Sequence, residues 1–251
     1  MRFSVTAFSG LLLFAITLLA ITAAVPHASA QVHIFLTPVP NSPFTAVAEI
    51  QRTGIRPDGS VFNVKTIRVL ARDGIGRIHN ESRSFIPADS TETPAVTHIH
   101  LYDPRTRIST ELDARNHTFL SQTVNHPPST VPPTVRYGSP SGTGVPQNDF
   151  SKEEDLGSQE IEGVMARGVR ETQIIPAENS ETGKEITVTD EYWYSDELRI
   201  NVLMKHSDPR KGTTTLTVAH LTRGEPDPAL LDMPEGYTRA GAAQPAAQPP
   251  K

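Results

Sequence analysis

The sequence predicts an all-β protein built on a single strongly curved antiparallel sheet, or an unclosed β-barrel, of about ten strands with little helix. Apolar residues recur with a period of two through residues 44–121 and resume this alternation after residue 156, as in strands with one buried face. Turn residues rich in Gly, Pro and Asp separate the alternating stretches. No long amphipathic helix is evident, so we expect both halves of the chain to build one sheet, with two independent domains as the alternative.

The first half begins with a strand in which alternate residues from Phe44 to Ile50 share one face. Turns with Pro or Gly at 56–59 and 73–76 end this strand and the next one. The further strands of this half are expected at about 60–72, 77–84, 96–102 and 107–113. A pairing that keeps the apolar residues of the last two strands on one face places Leu101 opposite Ile108, Ile99 opposite Thr110 and Thr97 opposite Leu112.

The second half continues the alternation in strands at 156–161, 164–175, 184–194, 198–205 and 213–221. The last two strands form a hairpin that places Met204 opposite Leu216 and Val202 opposite Val218. After the hairpin, Asp227 precedes Pro228, which is the order expected for the cap and first residue of a single helical turn at 227–231.

The chain divides into four segments by composition. Residues 1–30 resemble a signal peptide, because Arg2 precedes a 15-residue apolar run at 11–25, and the small residues of Ala28-Ser29-Ala30 follow this run. Residues 31–238 form the β domain, which a Pro/Ser/Gly-rich excursion at 122–150 interrupts, either as a passive insertion or as a mobile flap over a ligand site. Residues 239–251 are expected to be disordered. The mature chain then starts near Gln31, lacks a transmembrane anchor, and is periplasmic or secreted.

Composition excludes several classes of function. The net charge of −5 supplies no basic surface for nucleic acid. The absence of cysteine excludes disulfides, thiol nucleophiles and thiolate metal ligands. The sequence also lacks the common local motifs of nucleophilic, zinc-dependent and nucleotide-binding enzymes. A non-enzymatic protein is therefore the leading expectation.

One candidate metal site lies in the first half. Period two places His98 and His100 on the same face of a strand. The predicted register puts Glu111 opposite His98 and Ser109 opposite His100, with His79 as a possible further ligand. Two imidazoles and a carboxylate suit zinc or iron, but an ordinary solvated polar face is the alternative interpretation.

The second candidate site is the aromatic run Tyr192-Trp193-Tyr194. Alternation places the two tyrosines on one face and Trp193 on the other, so at least one aromatic face contacts something apolar. The three residues are expected either to pack in the core or to line a cavity that holds an apolar ligand.

The order of these features resembles the LolA-like superfamily of periplasmic lipoprotein carriers, which includes a regulator domain of an envelope-stress sigma factor. The resemblance rests on the turn Tyr102-Asp103-Pro104, the aromatic strand Tyr192-Trp193-Tyr194 with its following hairpin, and the closing segment 226–237. It implies an unclosed barrel that holds acyl chains on its concave side. Leu231, however, stands where a closing Phe is common, and a Pro-rich stretch replaces the lid.

These observations predict an exported soluble binding protein of the bacterial cell envelope that holds an apolar small molecule or lipid on the concave face of its sheet. The first alternative is a non-catalytic sensor or scaffold module that binds another envelope protein through a sheet edge or the Pro-rich loop. The second is a metal-dependent enzyme that uses His98 and His100. No cofactor is expected unless zinc or iron binds there.

Overall fold

A computed structural model describes residues 36–125 and 149–241. The predicted signal peptide and most of the Pro-rich excursion and C-terminal tail lie outside the described residues. The described ranges form one open sheet of 13 strands, antiparallel except for the pairing of β13 with β7, and contain two short 3-10 turns but no α-helix. The strands are β1 (Phe44–Ile55), β2 (Val61–Arg72), β3 (Ile78–Arg83), β4 (Ile86–Pro87), β5 (Val96–Asp103), β6 (Ile108–Asp113), β7 (Thr118–Thr123), β8 (Ser151–Ile161), β9 (Val164–Ile175), β10 (Ile186–Ser195), β11 (Ile200–Asp208), β12 (Gly212–Arg223) and β13 (Thr238–Arg239).

The predicted fold class is confirmed, although the sheet has 13 strands instead of about ten. Two of the additional strands, β4 and β13, contain only two residues each and are too short to show an alternating pattern. The strand order is β13-β7-β6-β5-β3-β2-β1-β12-β11-β10-β9-β8, with β4 paired to β2. Both halves of the chain therefore contribute to one sheet, and they meet where β1 pairs with β12.

The sheet curves strongly toward one face. Arg72 at the end of β2 donates a hydrogen bond from Nη2 to the carbonyl oxygen of Leu198, at 2.6 Å, and Leu198 lies in the turn between β10 and β11. In a flat sheet β2 and β11 would lie three strand spacings apart, about 14 Å, which is longer than an arginine side chain. We call the face on which this contact is made the inner face. Bulges in the β1–β12 and β10–β11 pairings favour such bending.

The main apolar cluster lies largely on the inner face. On β1 this face is formed by the even-numbered residues, which lie opposite even-numbered residues of β2 and β12. Those of β12 lie in turn opposite even-numbered residues of β11. The cluster consists of Phe44, Ala46, Ala48, Ile50, Leu70, Val164, Ala166, Tyr192, Trp193, Leu198, Ile200, Val202, Met204, Leu216 and Val218. A second, smaller cluster lies on the opposite, outer face of β5 and β6 and contains Ile99, Leu101 and Leu112, with Tyr237 of the C-terminal segment packed against it.

One predicted hairpin register is confirmed and the other is wrong. Met204 lies opposite Leu216 as predicted, because a three-residue loop ends at Gly212, whose φ of 105° suits glycine. In the β5–β6 hairpin, Leu101 lies opposite Thr110, and Ile99 lies opposite Leu112. Pro104 cannot adopt the positive φ that a two-residue hairpin loop requires at its first central position. The loop instead spans four residues and closes at Arg107, whose φ is 59°.

The C-terminal segment follows the predicted order. Asp227 caps the 3-10 turn Pro228–Leu230, because its side chain accepts a hydrogen bond from the backbone N–H of Ala229 at 3.0 Å. The chain then crosses to β7, where β13 pairs in parallel with Thr118 and Phe119. The segment therefore covers part of the outer face at one end of the sheet.

Candidate functional site

The predicted metal ligands lie on the inner face of the sheet. Ala46 lies opposite Leu70, Leu70 lies opposite Asn80, and Asn80 lies opposite His100. Directly opposed residues share a face, so the face that buries the main apolar cluster near β1 carries polar side chains near β5. We call this set the inner polar patch, and its members are Arg68, Asn80, His98, His100, Ser109 and Glu111.

The structure brings His98, His100 and Glu111 together. The Nε2 atom of His98 lies 2.5 Å from Oε2 of Glu111, and Nε2 of His100 lies 3.7 Å from Oε1 of the same carboxylate. Nε2 of His100 is also 3.0 Å from Oγ of Ser109. The side chains of His98 and Glu111 are 45% and 43% exposed, so solvent and a small ligand can reach them.

The contacts agree with the prediction although the register does not. Glu111 lies opposite His100 instead of His98, and Ser109 lies opposite Tyr102 instead of His100. The predicted register differs from the observed one by two residues. Because side chains alternate between the two faces with a period of two, this shift leaves every side chain on its predicted face. The observed contacts therefore join diagonal neighbours, which long side chains reach across a pair of strands.

His79 does not join this group. It lies opposite Leu101 and Ala71, which places it on the outer face, away from the inner polar patch. Its ring is buried, and Nδ1 lies 2.6 Å from the carbonyl oxygen of Leu230 in the C-terminal segment. The prediction of His79 as a further metal ligand is wrong. Successive residues of a strand point to opposite faces, so Asn80 lies on the inner face with His100 and the adjacent His79 lies on the outer face.

Burial disfavours the charged forms of two basic side chains of the patch, His100 and Arg68. It lowers the pKa of His100, although the attraction of Glu111 acts in the opposite direction. Burial also lowers the pKa of the Arg68 guanidinium, which lies 3.5 Å from the side-chain oxygen of Asn80. Sequence reasoning missed Arg68 and Asn80, because their place on this face follows only from the pairing of β1, β2 and β3.

This geometry does not suit a nucleophilic relay. In such a relay the hydroxyl and the carboxylate contact different nitrogens of one imidazole. Here Ser109 and Glu111 both approach Nε2 of His100. Within residues 36–125 and 149–241, no group of three or more His, Cys, Asp or Glu side chains has the arrangement of a metal centre. Zinc or iron binding by His98, His100 and Glu111 therefore stays a prediction.

The aromatic residues of β10 are mostly buried. Tyr192 is 5% exposed and lies opposite Met204 and Val169, whereas Trp193 is 8% exposed and lies opposite Leu203 and Gly168. A Cβ atom on Gly168 would come within 2.7 Å of the indole ring, so the glycine admits the tryptophan. Burial raises the pKa of Tyr194. A ligand-binding role for these three residues stays a prediction.

An ion-pair ladder supports the aromatic strand on the outer face. Arg170 bridges Glu154 at 3.3 Å and Glu191 at 3.0 Å, and Glu191 also contacts Lys205 at 3.1 Å. The indole N–H of Trp193 donates a hydrogen bond to Glu191 at 2.8 Å. The ladder satisfies the polar edge of the tryptophan and fixes its orientation.

None of the helices in the described ranges is long and apolar enough to cross a membrane. No family model matches the sequence, and no curated protein matches it.

Several solved structures are similar to this chain at low identity and low TM-score. MucB, in its complex with MucA from Pseudomonas aeruginosa, is 13% identical with a TM-score of 0.37; the match covers 76% of this chain and 56% of that one. A LolA superfamily protein from Nitrosomonas europaea is 10% identical with a TM-score of 0.31, over 79% of this chain and 93% of that one. A beta-barrel-like protein of a domain family of unknown function from Brucella abortus is 8% identical with a TM-score of 0.32; the match covers 74% of this chain and 100% of that one. The chain spans little more than half the length of the MucB structures.

Proposed function

We propose that the protein is an exported, non-catalytic binding protein of the bacterial cell envelope that holds an apolar or lipid-like ligand on the inner face of its sheet. The observation that carries the proposal is the composition of this face. It is apolar across β1, β12 and β11 and becomes polar across β3, β5 and β6. The contact between Arg72 and Leu198 shows that the sheet bends toward this face across β2, β1, β12 and β11.

The position of the change suits an amphiphile. Ala48 on β1 lies opposite Val218 on one side and Arg68 on the other, so an apolar wall and a cationic side chain adjoin the same small residue. Binding sites for small molecules commonly combine an apolar lining with a few oriented polar groups. Ala48 and Val218 are both 0% exposed, so an apolar moiety would reach this wall by displacing the side chains that cover it, and its polar head would then lie near the inner polar patch.

The test is the mass of the protein recovered after export. The full chain is produced in a bacterial host, recovered from the periplasm, and measured by native and by denaturing mass spectrometry. We expect the denatured mass to be that of a chain whose first residue is Gln31. The native mass should be larger by hundreds of daltons, and the bound molecule that accounts for the excess should be extractable into organic solvent. A bare native mass would contradict ligand capture, and recovery of the uncleaved chain from the cytoplasm would contradict export.

A matched pair of variants locates the ligand. Ala48→Leu adds bulk on the inner face, whereas Val47→Leu adds bulk on the outer face of the same strand, opposite Val69 and Ala219. We expect Ala48→Leu to reduce the bound excess and Val47→Leu to retain it, with circular dichroism showing that both variants are folded. Equal ligand content in the two folded variants would place the ligand elsewhere.

A protein partner is the second candidate, and the edge strand β8 favours it. β8 contains 11 residues, most of them exposed, and pairs on one side with β9, while no other described strand pairs with it. An exposed edge of this length can accept an additional strand from a partner. Cross-linking from cysteines introduced at Ser158 or Gln159 in the envelope fraction tests this, with a cysteine at Asn116 as the control. A cross-linked product specific to β8, on protein without bound lipid, would favour the second candidate.

A further inference from the structure

A C-terminal strap, residues 226–240, crosses the outer face of the sheet. Hydrogen bonds to backbone groups attach both of its ends. Just before the strap, the carboxylate of Glu225 accepts hydrogen bonds from the backbone N–H of Gly74 at 3.0 and 3.1 Å. At the far end, the backbone N–H groups of Thr238 and Ala240 donate to carbonyl oxygens at the start of β7, at 2.9 and 2.8 Å. Most residues in between are exposed, so the middle of the strap depends on a small number of contacts.

The imidazole of His79 makes one of these contacts. Its Nδ1 atom lies 2.6 Å from the carbonyl oxygen of Leu230. A carbonyl oxygen only accepts hydrogen bonds, so the contact requires the proton of the neutral ring to be on Nδ1. The other ring nitrogen, Nε2, is buried and has no hydrogen-bond partner in residues 36–125 and 149–241. His79 as a whole is only 4% exposed.

This site accommodates the neutral ring better than the charged one. Protonation converts Nε2 into a second N–H donor. A buried donor without an acceptor is unfavourable, and so is a buried charge without a partner. Burial accordingly lowers the pKa of His79, and it outweighs the bond to Leu230 and the charge of Glu81, which raise it. Detachment of the strap would give the charged ring access to water.

The other charged groups around His79 make contacts of their own. They lie on β3 itself, on or just beyond the neighbouring strands, and on the strap. None of them is a hydrogen-bond partner of Nε2. They are Arg77 with Asp73 and Asp232 at 2.7 and 3.8 Å, Glu81 with Arg83 at 2.7 Å, and Asp103 and Asp227, whose carboxylates accept backbone N–H groups at 2.8 and 3.0 Å.

We propose that the strap is released by acid: neutral His79 fastens it to the outer face, and a proton on Nε2 detaches it. Release would uncover the smaller apolar cluster of Ile99, Leu101 and Leu112, against which Tyr237 of the strap packs. It would also free the edge of β7, with which β13 pairs. The inference concerns the outer face and does not depend on the ligand proposed above.

The direction follows from linkage. The ring binds its second proton more weakly when the strap is attached than when it is detached. The stabilisation is therefore complete well above the ordinary pKa of 6.5 and is lost as the pH falls below it. With this value for the detached state, the opening equilibrium of the strap increases by at most about 30-fold from pH 7.5 to pH 5.

Amide hydrogen exchange of the full protein at pH 7.5 and pH 5 tests the proposal, after correction for the intrinsic pH dependence of exchange. We expect the protection of the Thr238 and Ala240 amides to fall several-fold at pH 5, within the limit of about 30-fold, and the protection of the β1 amides to change little. His79→Gln is neutral at both pH values and should remove this dependence.

The matched control is His117→Asn. It removes the exposed imidazole whose centre lies 5.4 Å from that of the Tyr237 ring on the same strap, and asparagine suits the positive φ of 50° at this position. The control should retain the pH dependence, because its histidine is not the buried one.

Unchanged protection of Thr238 and Ala240 between the two pH values in the wild type would overturn the proposal. So would a pH dependence that persists in His79→Gln or disappears in His117→Asn. If His79→Gln does not fold, the imidazole of His79 is titrated by NMR in the wild type. We expect a midpoint below pH 6.5 that coincides with the loss of strap protection, and a midpoint at or above this pH would equally contradict the proposal.

Discussion

Replacement of Arg72 is expected to destabilise the curved sheet more than replacement of any arginine that is exposed to solvent. The side chain is 0% exposed and donates three hydrogen bonds to backbone carbonyl oxygens of Ser42, Thr37 and Leu198, at 3.0, 3.0 and 2.6 Å. Its guanidinium also lies 5.0 Å from the centre of the Phe44 ring. Burial lowers its pKa to about 10, so it remains charged at neutral pH.

The magnitude follows from these contacts. Arg72→Ala leaves the carbonyl oxygens of Ser42 and Leu198 without this donor, whereas that of Thr37 keeps the backbone N–H of Val39 at 2.9 Å. Each unsatisfied buried acceptor costs about 1–3 kcal/mol. The unfavourable desolvation of the guanidinium is removed at the same time, and this offsets several kcal/mol. The net loss is then about 2 kcal/mol in the free energy of unfolding, out of the roughly 5–15 kcal/mol typical of a domain. Arg72→Lys retains the charge but cannot present the fork of donors, so an intermediate loss is expected.

Urea unfolding followed by fluorescence measures this loss directly, because Trp193 is the single tryptophan of the chain and is buried in the main apolar cluster. Arg115→Ala is the control, since Arg115 is exposed in the turn between β6 and β7, and surface replacements change stability by about 0.5 kcal/mol or less. A loss below about 1 kcal/mol for Arg72→Ala would refute the reasoning that this side chain holds the bend of the sheet.

Three further predictions concern other parts of the sheet. The double variant His98→Ala, His100→Ala should lose any stoichiometric zinc or iron measured by elemental analysis, and unchanged metal content would exclude the predicted site. Gly168→Ala should lower the melting temperature and shift Trp193 fluorescence, because the added Cβ would lie 2.7 Å from the indole ring; unchanged values would show that the ring has room to move. Burial lowers the pKa of His79, so its contribution to stability is present above about pH 6.5 and is lost on acidification; His79→Gln should flatten that part of a melting-temperature profile, and an unaltered profile would contradict the assignment.

The period-two pattern was sufficient to predict the strands because each long strand has one face in the core. In β1 the residues from Phe44 to Ile50 alternate between buried and more exposed, as the alternation indicates. The β11–β12 register was predictable for the same reason, since apolar residues on both strands fix it. Where one face is polar, as at His98 and His100, a shift of two residues leaves the alternation unchanged. Only the loop conformation at Pro104 and Arg107 decides the register there.

The pairing between distant strands was not predictable from local patterns. β1 pairs with β12 across nearly the whole chain, and nothing near Phe44 or Arg223 specifies this partner. Whether the odd-numbered or the even-numbered residues of a strand lie on the inner face depends on that pairing. For this reason Arg68 and Asn80 could not be assigned to the same face as His100, and His79 was assigned to the wrong one.

The change from an apolar to a polar inner face follows from this strand order. β11 and β12, whose inner faces belong to the main apolar cluster, come from the end of the chain. β12 pairs with β11 on one side and with β1 on the other. The hairpin β5–β6, which carries the histidines, then lies two strands beyond β2, on the side away from β12. In the opposite direction the inner face ends in the carboxylates of Glu171 and Glu153. An apolar floor therefore lies between a histidine-containing patch and an acidic edge.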